Sequence, residues 1–469
     1  MSLDPARDPL DVDALLDDRK TRIVVCCGSG GVGKTTTAAA LGLRAAERGR
    51  SVVVLTIDPA RRLAQSMGID SLDNVPRRVE DIKGDGELCA MMLDMKRTFD
   101  EIVEAHADKE RARAILSNPF YQSLSAGFAG TQEYMAMEKL GQLRARDDWD
   151  LIVVDTPPSR SALDFLDAPK RLGSFLDGKL IRLLMAPAKV GGRAGMKFLN
   201  VGMSMMTGAL GKLLGGQLLR DVQTFVAAMD TMFGGFRKRA DATYRLLQAP
   251  GTAFLVVASP ERDALREAAY FVERLAADDM PLAGLVLNRV HGSGAAGLSA
   301  ERALAAAENL EERGIVDQED GKIAGRSSSE APSSEAPTSA APTSPEAPGS
   351  SASTGTPSEG SEPASASGPA PSAATSDTPV ADASDTSGTP VADASVERLT
   401  VGLLRLHAER MRLIAREQHT RDRFTALHPE VAVAEVAALP GDVHDLAGLR
   451  TIGDQLAAAR GTEGPAGAA

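Results

Sequence analysis

Gly28, Gly33, Lys34 and Thr35 stand in the spacing Gly-x4-Gly-Lys-Thr, and these residue types at that spacing handle phosphate. Glycines let backbone N–H groups turn inward around an anion, and a helix N-terminus adds the positive end of its dipole. Lys34 then reaches the β- and γ-phosphates, and the Thr35 hydroxyl ligates Mg2+. Two acids further along fit the rest of a phosphoryl-transfer site. Asp155, closing the apolar run Leu151–Val154, is placed to hold the magnesium water shell from a neighbouring strand. Asp58, closing Ser51–Ile57, is the candidate to orient or deprotonate the attacking water; taken alone, Asp58-Pro59 also reads as a simple turn.

Chemistry of this kind needs strands to aim it. Arg22–Cys27 is a short apolar run of the sort buried in parallel sheets, and it leads through the glycine-rich loop into an alanine-rich helix over Thr36–Arg48. Further strands are expected at Ser51–Ile57, Leu151–Val154, Phe254–Ala258, Ala283–Leu287 and within Val431–Ala437. Helical patterns separate most of them. The implied fold class is α/β, a doubly wound parallel sheet of the P-loop NTPase type, which binds ligands beyond the carboxyl ends of its strands.

Composition bounds the rest. Aromatics are only 4% of 469 residues against 43% hydrophobic overall, so the core must be aliphatic. The stretch 327–395 holds nine acids, no Lys or Arg, and no aromatic, Leu, Ile or Met. Such a segment buries too little apolar surface to offset its ordering entropy, and 326–395 reads as a disordered Ser/Ala/Pro/Thr linker. The heptapeptide Thr-Pro-Val-Ala-Asp-Ala-Ser occurs twice within it, as slippage would produce. Without those nine acids the formal charge of −12 falls to about −3, which argues against a nucleic-acid surface. Residues 1–21 form an acidic leader with no apolar core of a secretory signal. Three cysteines make neither a disulfide framework nor a CxxC pair. The expectation is a cytoplasmic protein, at most peripheral at the membrane, with a nucleotide-binding domain over 22–325, its C-terminal part at 396–458 and a flexible tail at 459–469.

The ordered set of motifs resembles a known family, the anion-transporting, arsenite-pump-type ATPases, whose members include targeting factors for tail-anchored membrane proteins. The resemblance rests on GSGGVGKTTT at 28–37, TIDPARRLAQS at 56–66, DTPPSRSAL at 155–163, LVLNRV at 285–290 and LPGDVHDLAGLR at 439–450. It implies ATP and Mg2+ as cofactors. Phosphate contacts fall on Gly28, Gly30, Gly31, Val32, Gly33, Lys34, Thr35 and Thr36, and metal contacts on Thr35 and Asp155. The water-polarising switch I acid falls on Asp58, switch II begins at Asp155, and the adenine-contacting amide falls on Asn288. Asn288-Arg289-Val290-His291 is not the Asn-Lys-x-Asp of GTPases, so ATP is favoured. The resemblance also implies a homo- or heterodimer with a homologous ATPase.

The chain departs from the family pattern in three places. Ser29 stands where family loops commonly carry a Lys that reaches the partner's nucleotide, which implies slow or partner-dependent hydrolysis. Switch I reads Asp58-Pro59-Ala60-Arg61-Arg62. The zinc-binding CxxC of the targeting factors is absent, so a zinc-clamped homodimer is unsupported; Cys26 and Cys27 fall on the strand beneath the loop, which leaves no three well-placed cysteines for metalloid transport.

Between switch II and the fourth expected strand, 170–247 reads as a Met-rich helical subdomain. Met196, Leu199, Met203, Met206 and Leu210 make one apolar stripe, and Phe225, Met229, Met232, Phe233 and Phe236 another. Such stripes serve either as core or, by position in the family, as an adaptable groove for a hydrophobic protein client or a membrane protein. Three functions therefore remain open: a client-handling ATPase, a weakly hydrolysing regulatory subunit, and a partitioning or membrane-scaffold ATPase.

Overall fold

A computed structural model of the chain describes residues 9–58, 62–125, 131–157, 225, 235, 238–323 and 390–458. Two compact units emerge, Met1–Leu298 with Glu409–Ala469, and Ser299–Ala408.

The first unit is organised by an eight-stranded sheet: β1 Ile23–Cys27, β2 Ser51–Thr56, β3 Arg77–Arg78, β4 Glu87–Met92, β5 Leu151–Asp155, β6 Thr252–Ala258, β7 Leu282–Val290 and β8 Val433–Ala437. Their order is β3-β4-β2-β5-β1-β6-β7-β8. Every pairing is parallel except β3 with β4. All six expected strands are present. β4, reading Glu-Leu-Cys-Ala-Met-Met, lacks the β-branched residues that announce a buried strand, and the short β3 pairs only at its edge.

The described helices are α1 Val12–Asp17, α2 Lys34–Glu47, α3 Arg62–Ser66, α4 Met95–His106, α5 Lys109–Leu116, α6 Pro119–Ser125, α7 Thr131–Arg146, α8 Arg262–Ala277, α9 Ala300–Ile323, α10 Pro390–Leu427 and α11 Leu446–Ala458. Residues 238–248 are also helical. Strand alternation divides the core between the two faces of the sheet. Ile23, Val25 and Cys27 of β1 join one apolar cluster with α4, α7 and α8, while Val24 and Cys26 join the other with α2 and α11.

Part of the acidic leader belongs to this core. Leu10, Val12 and Leu16 are buried, and Asp11 caps α1 by accepting from the Ala14 N–H at 2.9 Å. The leader's charge is matched by α2. Asp13 receives Arg44 Nε and Nη2 at 2.6 and 2.9 Å, and Asp17 receives Arg48 Nε at 2.7 Å.

Arg50 locks the same region from inside. Almost fully buried, it donates to Asp150 Oδ1 at 2.8 Å and to the carbonyls of Leu16, Thr21 and Asp150 at 2.8, 2.7 and 2.6 Å. A buried guanidinium survives only with its fork satisfied in this way.

α10 begins at Pro390, so the last residues of the span 326–395 read as a disordered linker are helical. Residues 326–389 and 459–469 lie outside the described residues. So do Met196, Leu199, Met203, Met206, Leu210, Met229, Met232, Phe233 and Phe236. Of the second apolar stripe only Phe225 is described; it is buried in the core and stacks on Tyr121 with ring centroids 6.0 Å apart.

Candidate functional site

Sheet order brings the expected residues together. β1 lies between β5 and β6, so the loop leaving β1 emerges beside the end of β5. The registers are close: Cys26 pairs with Asp155, and Thr56 pairs with Asp155 from the other side.

Backbone freedom is essential at two glycines of the loop. Gly28 has φ +151° and lies so near β6 that a Cβ would sit 2.1 Å from the Val257 carbonyl oxygen. Gly33 has φ +93°, and a Cβ there would meet Asn288 Nδ2 at 2.2 Å. Gly30 and Gly31 are exposed at the tip, Val32 is buried, and Thr35 and Thr36 are half-buried at the start of α2. Val32 thus offers its backbone, its side chain belonging to the core.

Lys34 Nζ folds back to donate to the Ser29 carbonyl at 2.7 Å. Burial holds its ammonium below the usual lysine range, and the Asp155 carboxylate opposes that shift. A buried cation on a neutral carbonyl is poised to exchange that partner for a phosphate oxygen.

Asp155 is fully buried. Its Oδ2 accepts from the hydroxyls of Thr35 and Thr56, each at 2.8 Å. Its Oδ1 is buried with no hydrogen-bond partner. Burial pushes the carboxyl up to about 6, against the two hydroxyl hydrogen bonds and Lys34. An orphaned carboxylate oxygen beside a Thr hydroxyl is a hard, oxygen-only donor set, and Mg2+ fits it. A dication there would also hold Asp155 ionised.

Asp58 is half-buried just past β2. Its N–H donates to Thr56 Oγ1 at 3.2 Å, and its charge acts on both Asp155 and Lys34. Thr56 therefore joins the two acids: one hydroxyl accepts from the Asp58 N–H and donates to the buried Asp155 carboxylate. Sequence reasoning passed over Thr56. A hydroxyl closing an apolar strand two residues before an acid was the available signal.

Asn288 is buried, and a register shift between Asn288 and Val290, with Arg289 at φ +63°, turns it to the loop. Nδ2 donates to the Val32 carbonyl at 2.8 Å, and Oδ1 accepts from the Arg289 N–H at 3.0 Å. The amide supports the phosphate loop and retains one N–H and one lone pair for other use. Cys26 and Cys27 are buried beneath the loop, where burial raises both thiols, Cys27 to about 12. They are inert packing residues.

Pro59, Ala60, Arg61 and Pro158 lie outside the described residues. Among the described residues no cluster of His, Cys, Asp or Glu suggests a further metal site, and no helix is long and apolar enough to cross a membrane.

Comparison with known proteins identifies the family. A family model described as Anion-transporting ATPase matches residues 21–301. The protein from Malassezia globosa described as "ATPase GET3" is 30% identical over 175 residues, covering 37% of this chain and 50% of that protein. Its Podospora anserina counterpart is 27% identical over 293 residues, 61% of this chain and 78% of the relative. The Schizosaccharomyces pombe protein is 31% identical over 181 residues, 38% and 52% respectively.

Proposed function

The chain belongs to the anion-transporting ATPase family, and on that premise we propose that it is a dimeric, Mg-ATP-dependent switch whose nucleotide state controls a surface for a hydrophobic protein client. One observation carries the reading. The Thr35 hydroxyl and the Asp155 carboxylate meet at 2.8 Å below the phosphate loop, with Asp155 Oδ1 buried and unpartnered. A bound cation or its water shell would satisfy that oxygen, which the chain's own described side chains leave without a partner.

The roles follow from position. Gly28, Gly30, Gly31, Val32, Gly33, Thr35 and Thr36 present backbone donors to the phosphates. Lys34 leaves the Ser29 carbonyl for the β/γ-phosphates. Thr35 and Asp155 hold Mg2+, which when bound neutralises charge on the transferring phosphoryl group. Asp58 orients the attacking water, and its backbone tie to Thr56 links switch I to Asp155. Asn288 fixes the loop from below and offers its remaining amide capacity to the adenine. The hydrophobic client is the class handled by the tail-anchored targeting factors of the family, and the Met-rich segment 170–247 is the proposed client surface.

A second reading is favoured by Ser29. Its backbone serves Lys34, but its hydroxyl cannot supply the cationic charge that a cross-dimer Lys delivers. On this reading the chain is a weakly hydrolysing subunit that pairs with a Lys-bearing homologue. Turnover of the isolated chain, measured alone and with such a homologue added, separates the two. Turnover that is low alone and stimulated by the homologue favours the regulatory subunit; turnover that is fast alone excludes it.

A further inference from the structure

Asp58 can orient a water only if the backbone that carries it is held in one direction. The planar peptide unit joining Ile57 to Asp58 sets where the Asp58 Cα lies, and such a unit has two polar ends to hold. Its N–H, on Asp58, donates to Thr56 Oγ1 at 3.2 Å. Its C=O, on Ile57, accepts from Gln132 Nε2 at 3.0 Å. One peptide earlier, the Ile57 N–H donates to the Asp155 carbonyl at 2.9 Å, and the Ile57 side chain is buried in the core. Opposite edges of one plane are thus pinned from two different elements.

Gln132 stands in the first turn of α7, and α7 is a firm mount. Its Lys139, buried, donates to Glu101 of α4 at 2.7 Å. Its Glu138, also buried, accepts from Arg239 Nε at 2.6 Å and from the Tyr134 hydroxyl at 2.9 Å. Tyr134, Met137 and Leu140 lie in the same apolar cluster as Ile57. At its other end α7 leads directly into β5, the strand that closes on Asp155. One helix therefore holds the end of β2 from its first turn and feeds β5 from its last. A group that must fix another within a fraction of an ångström needs such a rigid support. An amide facing a carbonyl can present only its N–H, so the sense of the bond is settled.

We propose that Gln132 is a positioning residue for ATP hydrolysis: by holding the Ile57 carbonyl it fixes the peptide unit from which Asp58 addresses the attacking water. Gln132 has this role only if Asp58 is the water-orienting acid of the functional reading. It acts through backbone, without a contact to the phosphates or the metal, so its loss falls on the chemical step and spares nucleotide binding. A residue that merely satisfied a buried carbonyl would behave differently. Its removal would lower stability and leave the rate of the folded protein alone.

The test is single-turnover hydrolysis and ATP affinity of the full chain, measured at a temperature where every variant is folded. The proteins are wild type, Gln132→Met, Gln132→Glu, Thr56→Val and the double variant Gln132→Met with Thr56→Val. Methionine keeps the length of the side chain and removes the donor. The hydrolysis rate of Gln132→Met should fall roughly fivefold to tenfold, with ATP affinity changed by less than about twofold. Gln132→Glu turns a carboxylate to the Ile57 carbonyl and should lose more than Gln132→Met. Thr56 and Gln132 hold two ends of one plane, so their losses should not multiply, and the double variant should be about as slow as Thr56→Val alone. A Gln132→Met chain that hydrolyses bound ATP at the wild-type rate, whatever its thermal midpoint, overturns the proposal and leaves the functional reading standing. So does a loss of affinity that matches the loss of rate, or a double variant whose loss equals the product of the two. Wild type that binds ATP and never hydrolyses it overturns the role of Asp58, and this proposal with it.

Discussion

Thr56 Oγ1 donates to Asp155 Oδ2 at 2.8 Å, the same oxygen that Thr35 reaches from the phosphate loop. A residue at the end of β2 thereby positions the carboxylate at the end of β5, and its lone pairs tie the Asp58 backbone to the same point. Thr56→Val keeps the volume and removes the hydroxyl. A hydrogen bond to a charged group contributes about 1.5–3 kcal/mol, so kcat for ATP should fall roughly ten- to hundredfold with KM little changed. Thr56→Ser should restore most of it. A purely structural role predicts equal damage from both variants, visible as a matching loss in thermal midpoint.

Asp155→Asn separates the metal from the fold. Burial already disfavours the charged carboxylate, so the neutral amide should leave the thermal midpoint without ligand unchanged or higher. Stabilisation by Mg-ATP should fall to that given by ATP alone. At a ligand concentration of about 100 Kd the Mg-ATP stabilisation is about 2.7 kcal/mol in wild type, easily read by calorimetry. A variant stabilised more by Mg-ATP than by ATP without Mg2+ would remove Asp155 from the metal site.

Asn288 is tested by two changes of opposite chemistry. Asn288→Ala removes the prop under the Val32 carbonyl and should cost about 1–3 kcal/mol in nucleotide affinity. Asn288→Asp keeps the size but places a carboxylate against that carbonyl, and should be worse. Equal affinities for the two would mean that the contact with Val32 is incidental.

Arg50 is a stability prediction remote from the nucleotide. Arg50→Ala strips four partners of a buried guanidinium, exposing the Leu16 and Thr21 carbonyls to an unsatisfied interior. The cost should be about 3–5 kcal/mol, measured by denaturant unfolding. Arg50→Lys, unable to reproduce the fork, should recover less than half. A loss below about 1 kcal/mol would contradict the picture of the N-terminal helix as part of the core.

Much of this site was legible in the sequence because phosphate binding forces residue types and spacing together. The glycine loop, Lys34, Thr35 and the acids at the ends of β2 and β5 all lie where their motifs placed them. Thr56 was not legible, since a threonine in a strand is ordinary until its register with Asp155 is known. β4 was missed because its Cys, Ala and Met side chains carry no strand signature, although it lies fully inside the sheet. The acidic leader hid α1: Asp13 and Asp17 look like solvated charge until Arg44 and Arg48 are seen across from them. Asn288 was found by resemblance alone, and its support of the loop depends on a bulge that no pattern announces.

In the proposed function the loop over Gly28–Thr35 binds ATP together with Mg2+ held by Thr35 and Asp155. Titration calorimetry of a non-hydrolysable ATP analogue into the full chain, with and without Mg2+, tests it most directly when repeated on Lys34→Ala and Asp155→Asn. Saturable binding that Mg2+ strengthens at least tenfold is expected in wild type, binding without that strengthening in Asp155→Asn, and little binding in Lys34→Ala. Binding of equal strength in all three proteins, or none in wild type at millimolar nucleotide, would contradict it.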